Sequence, residues 1–316
     1  MKQTSILIVG FTLFTLGLLP SCGGGKPNYD YEAVSKYFAA DESLSPIIDE
    51  ELDIYNMRSK RDSLYGLYIN EQDAIDSLLE MKTWLVFTTR ALTQNETDIL
   101  RSKQLRPRIY PLAYEGLTLI TNRDNPDSLI SVDAFKRILT GEITQWKEIY
   151  PDSKLDSIRV AFDNPRSSTV RFCVDSILQG QQMKTDGNVR AVQTTRQVVD
   201  YVEKRRDAIG IIGSIWLNDK RDTTNMVYGR NIRVMRVSNS IEPTPQNSYD
   251  PSQWNIAYNY YPFIRTIYAL LTDPRSTGVA RGFGNFCDQR DGQLIIFNAG
   301  LFPARADYSV RDVVIN

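Results

Sequence analysis

The stretch from Ile158 to Leu178 constrains the fold more than any other part of the chain. Ile158-Arg159-Val160-Ala161-Phe162 has the length and branched content of a strand, whereas Val170, Cys173, Val174, Ile177 and Leu178 recur at the spacing of one apolar helix face. The residues between them, Asp163-Asn164-Pro165-Arg166-Ser167-Ser168-Thr169, must therefore make a strand-to-helix turn. Three hydroxyls sit there beside the unpaired N–H groups and positive dipole end of a helix start, a combination that favours an anion. A plain helix cap by Ser167 or Ser168 explains the same residues without a ligand.

The alternation of strand and helix extends from Tyr29 onward and predicts an α/β fold, its mostly parallel sheet covered on both faces. Ser45-Pro46 opens a helix that turns Ile48, Leu52 and Tyr55 inward. Asn70, three residues before Asp73, starts another with Ala74, Ile75, Leu78 and Leu79. The strand Trp84 to Thr88 delivers Thr89 and Arg90 at its carboxyl end, where such sheets bind ligands. A helix from about Glu96 to Lys103 and a strand from Leu117 to Thr121 follow. Ser131 caps a helix bearing Val132, Phe135, Ile138 and Leu139, and Gly141 closes it. A helix begun by Thr194 or Thr195 leads to the strand Ala208 to Ile212. After the dense apolar run Tyr258 to Leu271 come a helix marked by Val279, Phe283, Phe286 and Cys287 and a short one from Gln293 to Asn298.

With 316 residues, the chain can build two lobes, each with its own core. Its 37 Lys and Arg nearly balance 38 Asp and Glu, so no footprint for nucleic acid is visible. There is no histidine, which removes the commonest general base and the usual zinc ligand. No enzyme activity, metal or cofactor is expected. Cys173 and Cys287 each fall on an apolar helix face and are expected as buried free thiols, a disulfide between them being the alternative in an exported protein.

Residues 1–21 read as an export signal, with Lys2 ahead of an apolar run from Ile6 to Leu19. Leu19-Pro20-Ser21-Cys22-Gly23 resembles a bacterial lipobox, which makes Cys22 the acylated first mature residue and 22–28 a tether.

Taken in order, six stretches resemble the substrate-binding proteins of phosphate ABC transporters. They are Ala40-Asp41-Glu42-Ser43-Leu44-Ser45-Pro46, Leu139-Thr140-Gly141-Glu142-Ile143-Thr144-Gln145-Trp146, Ser167-Ser168-Thr169, Asp207 to Gly213, Tyr261-Pro262-Phe263-Ile264-Arg265, and Gly292 to Ile296 with Gly300-Leu301-Phe302-Pro303. The resemblance implies a two-lobed periplasmic-binding-protein fold of type II, a Venus flytrap with two crossing strands as its hinge. Lobe I is expected over 29–114 plus 258–316 and lobe II over 115–257. Carried over by position, Ser43 and the Leu44 N–H bind the anion from lobe I, with Asn70 or Glu71 beside them; Ser167, Ser168 and Thr169 bind it from lobe II.

Three departures bear on the ligand. Ser168 stands where the family has a glycine, and two charged positions look exchanged, with Arg90 where an acid is usual and Asp163 where an arginine is usual. The two could pair across the cleft; alternatively Arg90 binds the anion while Asp163 accepts the proton of hydrogen phosphate, or Arg90 makes a structural salt bridge. Asp41 and Glu42 oppose an anion unless they turn away from the cleft.

The function implied is a lipid-anchored, monomeric binding protein on the periplasmic face that hands inorganic phosphate to an inner-membrane ABC permease. The alternatives are a binding protein or sensor for another oxyanion, or a phosphatase or hydrolase using Ser167 or Ser168 without histidine.

Overall fold

The computed structural model describes residues 34–59, 63–185, 187–218 and 231–305. The export signal, Cys22 and the tether lie outside the described residues.

The first three strands are β1 (Tyr37–Asp41), β2 (Tyr65–Ile69) and β3 (Leu85–Thr88), with β1 parallel to both of the others. They are followed by β4, which runs 15 residues from Arg108 to Asn122. At ~3.3 Å per residue such a strand reaches about 50 Å, enough to serve two sheets. The chain continues through β5 (Leu129–Ser131), β6 (Arg159–Phe162), β7 (Val189–Ala191), β8 (Ala208–Gly213), β9 (Ile232–Val234), β10 (Arg236–Ser238), β11 (Ile264–Leu271) and β12 (Phe302–Pro303).

β4 changes partner midway. From Arg108 to Gly116 it lies antiparallel to β11, completing the order β2-β1-β3-β11-β4; from Leu117 to Thr121 it lies antiparallel to β8, starting the order β4-β8-β6-β7. At the changeover the Leu117 N–H donates to the Phe263 carbonyl at 2.7 Å, so the second chain crossing lies just ahead of β11. The fold is thus two-lobed, with two crossing strands as the hinge. Among the described residues, parallel pairing is confined to β1-β2, β1-β3, β6-β7, β6-β8 and the small β5-β10 ribbon. The sheets are therefore mixed rather than mostly parallel, because both crossing strands run against their neighbours.

Side chains alternate across the second half of the sheet as the two-residue strand period requires. Leu117, Leu119, Val160, Phe162, Ile209 and Ile211 face a core with Phe135, Trp146 and Ile177. Ile120, Ala161, Ala208 and Ile212 face the helix Thr195–Glu203 through Val198, Val199 and Val202. Lobe I centres on Phe38, Phe87 and Phe283, with ring centroids 5.3–5.4 Å apart.

The helix after the Ser-Ser-Thr turn differs from its sequence pattern. It is α-helical over Ser168–Phe172 and then widens to a π-helical turn over Cys173–Leu178. The wider turn buries Phe172, Cys173, Ile177 and Leu178 together and leaves Val170 and Val174 half-buried. Cys173 and Cys287 are free and buried.

Candidate functional site

Three chain segments meet between the lobes. β1 ends in Asp41, which caps a tight 3-10 turn, Glu42–Leu44, leading into the helix Ser45–Arg58. β6 ends ahead of Asp163, and Ser167 caps the helix start by accepting from the Val170 N–H at 3.3 Å. On β11, Arg265 stands directly opposite Glu115 of β4.

Arg265 and Glu115 are buried at 3 % and 0 % exposure, and an arginine inside a core is tolerated when it is fully paired. Nε and Nη2 of Arg265 reach Glu115 Oε2 at 2.8 and 2.7 Å, while Oε1 accepts the Ile215 N–H at 3.1 Å. A Cβ at Gly213 would collide with that carboxylate and with the guanidinium, so glycine is what lets the pair form beneath β8.

The other face of the guanidinium is turned to the cleft. Nη1 donates to Ser168 Oγ at 2.8 Å and Nη2 to Ser43 Oγ at 3.1 Å. Both hydroxyls pass their own protons to Asp41 Oδ1, Ser168 at 3.0 Å and Ser43 by a short bond. Backbone N–H groups of Ser43 and Ser168 point at the same carboxylate, at 3.0 and 3.4 Å. Two hydroxyls and two amides from both lobes therefore converge on one carboxylate, with a cation behind the hydroxyls. Asp41 does not turn away from the cleft; it is the acceptor at its centre.

Burial pushes the Asp41 carboxyl up to about 7, with Glu71 and Asp163 adding to the effect and Arg265 and the Ser43 hydrogen bond opposing it. Asp163 is also raised, first by burial, although Ser167, Thr169 and Arg265 favour its charged form. Thr169 Oγ1 donates to Asp163 Oδ1 at 2.5 Å, while Oδ2 is buried without a hydrogen-bond partner.

The remaining expected residues occupy different places. Ser43, Leu44, Ser167, Ser168 and Thr169 are buried at the junction. Asn70 caps its helix by accepting the Asp73 N–H at 3.0 Å. Glu71 joins the lobes instead: Oε1 accepts from Thr89 N and Oγ1 at 2.6 and 2.9 Å, and Oε2 takes Arg171 Nε at 2.5 Å. Arg90 gives both terminal nitrogens to Glu96 at 2.7 and 2.8 Å within lobe I. The pair between Arg90 and Asp163 is not formed, because each is bonded to a residue of its own lobe.

Further bonds cross the cleft. Glu42 Oε2 accepts the N–H and hydroxyl of Thr195 at a helix start, at 3.1 and 2.7 Å. Trp216 Nε1 donates to the Ser43 carbonyl at 2.8 Å, and Arg166 reaches Asp73 at 2.8 Å.

Arg265, Glu115 and Arg171 were not among the expected site residues. The available signal for Arg265 was its position in an apolar run, where an arginine needs a buried partner.

A family model described as a PBP superfamily domain matches residues 39–288. The chain belongs to the PBP superfamily. Its curated relatives include the phosphate-binding protein PstS of Borreliella burgdorferi, 24% identical over 305 residues that cover 95% of this chain and 98% of that one. Another, PstS of Staphylococcus haemolyticus, is 22% identical over 256 residues, covering 78% of each. Among solved structures, a Clostridium perfringens protein with bound phosphate, described as an ABC transporter substrate-binding protein, matches with a TM-score of 0.70 at 19% identity. The match covers 85% of this chain and 99% of that one. An ABC-type phosphate transport receptor from Vibrio cholerae gives 0.62 at 19% identity, over 84% and 98%. The resemblance read from the six stretches is thereby borne out.

Proposed function

We propose that the chain captures inorganic phosphate between its lobes and delivers it to an ABC permease. The observation that carries this reading is the donor set around Asp41: the Ser43 and Ser168 hydroxyls and two backbone N–H groups already hold a carboxylate in a buried space between lobes, and the Arg265 guanidinium donates to those two hydroxyls from behind. Such a set binds oxyanions by charge-assisted hydrogen bonds and offers no preference to a cation. Relatives described as phosphate-binding proteins supply the choice of phosphate among oxyanions.

On this reading Ser43, Leu44, Ser167, Ser168 and Thr169 frame the site, Glu71 and Asn70 shape its lobe I wall, and Asp163 is the acceptor for a ligand proton. Arg265 takes the cationic role first assigned to Arg90. The lobes meet near Tyr114 and Tyr258, no chemistry is performed, and the chain acts as a monomer. Acylation of Cys22 anchors it at the periplasmic face of a membrane; no helix among the described residues is long and apolar enough to cross one.

Calorimetric titration of the anion-stripped protein with phosphate and then sulfate at neutral pH tests the proposal. Phosphate binding with sulfate ignored is expected. Binding of sulfate alone, or of neither anion, would overturn it.

A further inference from the structure

Asp41 sits where the chemistry of the cleft asks for an external anion. It is 1 % exposed and is fixed from lobe I by capping the turn that contains Ser43. From lobe II it receives the N–H and hydroxyl of Ser168. The same two serine hydroxyls relay the positive charge of Arg265. A carboxylate that collects donors from both lobes occupies the place of a bound oxyanion in a hinged trap, and its hydrogen bonds tie the two halves of the closed arrangement to each other.

We propose that Asp41 is an internal ligand of the cleft, holding the lobes together through Ser43 and Ser168 until an external oxyanion displaces it. The inference rests on the oxyanion-trap reading and adds a regulation of that site. It differs in sign from a role for Asp41 as a favourable contact, because removal of an internal competitor strengthens binding of the external ligand.

The surrounding charges make this competition sensitive to pH. Glu71 and Asp163 face Asp41 with negative charge, and Arg265 opposes them. The remaining charged groups of the junction are matched to partners, Glu115 to Arg265, Arg171 to Glu71 and Glu42 to Thr195. The Asp41 carboxyl is pushed up to about 7, so above neutrality it is a charged competitor that repels an entering anion, although ionising it in the buried junction also costs the closed arrangement. Below neutrality it is neutral, competes weakly and no longer repels an entering anion. External anion binding therefore strengthens as pH falls through about 7.

The test is phosphate titration of the wild-type chain, Asp41→Asn and Asp41→Ser at pH 6 and pH 8. The ligand's own titration cancels when variant and wild type are compared at one pH. Both variants are expected to bind about tenfold or more tightly than wild type at pH 8, and within about threefold of it at pH 6. Weaker binding by the variants at pH 8, or a gain that is the same at both pH values, overturns the proposal. A second readout needs no ligand: the distance between spin labels on exposed Lys82 of lobe I and Lys147 of lobe II, each replaced by cysteine. In anion-free protein Asp41→Ser is expected to lengthen and broaden that distance, and an unchanged distance overturns the internal-ligand role. A lengthened distance without phosphate binding by any form supports the internal ligand and rejects phosphate as the cargo.

Discussion

Removing Glu115 should do more damage than removing any exposed acid. Its carboxylate is fully buried, satisfies Arg265 and also accepts the Ile215 N–H, so Glu115→Ala orphans a guanidinium and a backbone donor together. Breaking a buried pair from one side costs about 3–5 kcal/mol, and Asp41 offsets part of it because it acts on Arg265 from the cleft. Thermal unfolding should therefore fall by roughly 4–8 °C for a chain of this size. Glu115→Gln keeps one acceptor oxygen but turns an NH2 donor toward the other partner, so it should still lose about half as much. The double variant Glu115→Met with Arg265→Met removes both charges and should recover most of the stability lost by Glu115→Ala, while phosphate binding stays lost with the guanidinium. The assay is a double-mutant cycle by calorimetric or circular-dichroism melting. Additive losses in the cycle, or a Glu115→Ala protein that melts with wild type, would refute the reasoning.

Other consequences are as direct. Glu51 lies in an apolar pocket walled by Ile48, Leu112, Ile267 and Ile296, and burial pushes its carboxyl up to about 8. A raised acid favours folding while protonated, so stability should fall by about 1.4 kcal/mol per pH unit between pH ~4.5 and ~8; Glu51→Gln should flatten that slope in denaturant melts. Thr169→Ala strips Asp163 of the hydroxyl on Oδ1 when Oδ2 already lacks a partner, at a cost of about 1–3 kcal/mol measurable by urea unfolding. Arg166→Ala, in contrast, breaks an ion pair whose arginine is 56% exposed, and its unfolding midpoint should match wild type within about 0.5 kcal/mol.

The local elements were legible where one rule dominated. Asn70, Ser131 and Thr194 cap the helices whose starts they mark in the sequence, and Gly141 takes the left-handed φ of 77° that closes one of them. The long strand β4 was read from Leu117 onward because Pro111, Glu115 and Gly116 interrupt the apolar pattern; its first half is held by pairing with β11 and by Arg265, which a local window does not see. The same limit applies to the cleft. Ser43 and Ser168 are 125 residues apart in sequence and 3.2 Å apart in space, a meeting that motif matching located. For Asp41 and Arg90 the sequence left the side-chain direction open, and direction decides their roles: Asp41 looks forward over its own turn, and Arg90 makes the structural salt bridge that was one of its readings, to Glu96 six residues ahead.

The uninterrupted run of β4 from one sheet to the other also determines how the molecule can bend and carry load. Its hydrogen bonds to β11 end at Gly116 and those to β8 begin at Leu117, leaving no slack segment between lobes. Opening therefore has to come from a change of twist where the two strands cross, at Gly116-Leu117 and just ahead of Ile264, with both ladders intact, much as a torsion bar turns without lengthening. Force applied to separate the lobes would travel along the strand and load the flanking ladders in shear, the direction in which many bonds share the stress. The joint that lets the cleft open is for that reason also its stiffest mechanical member.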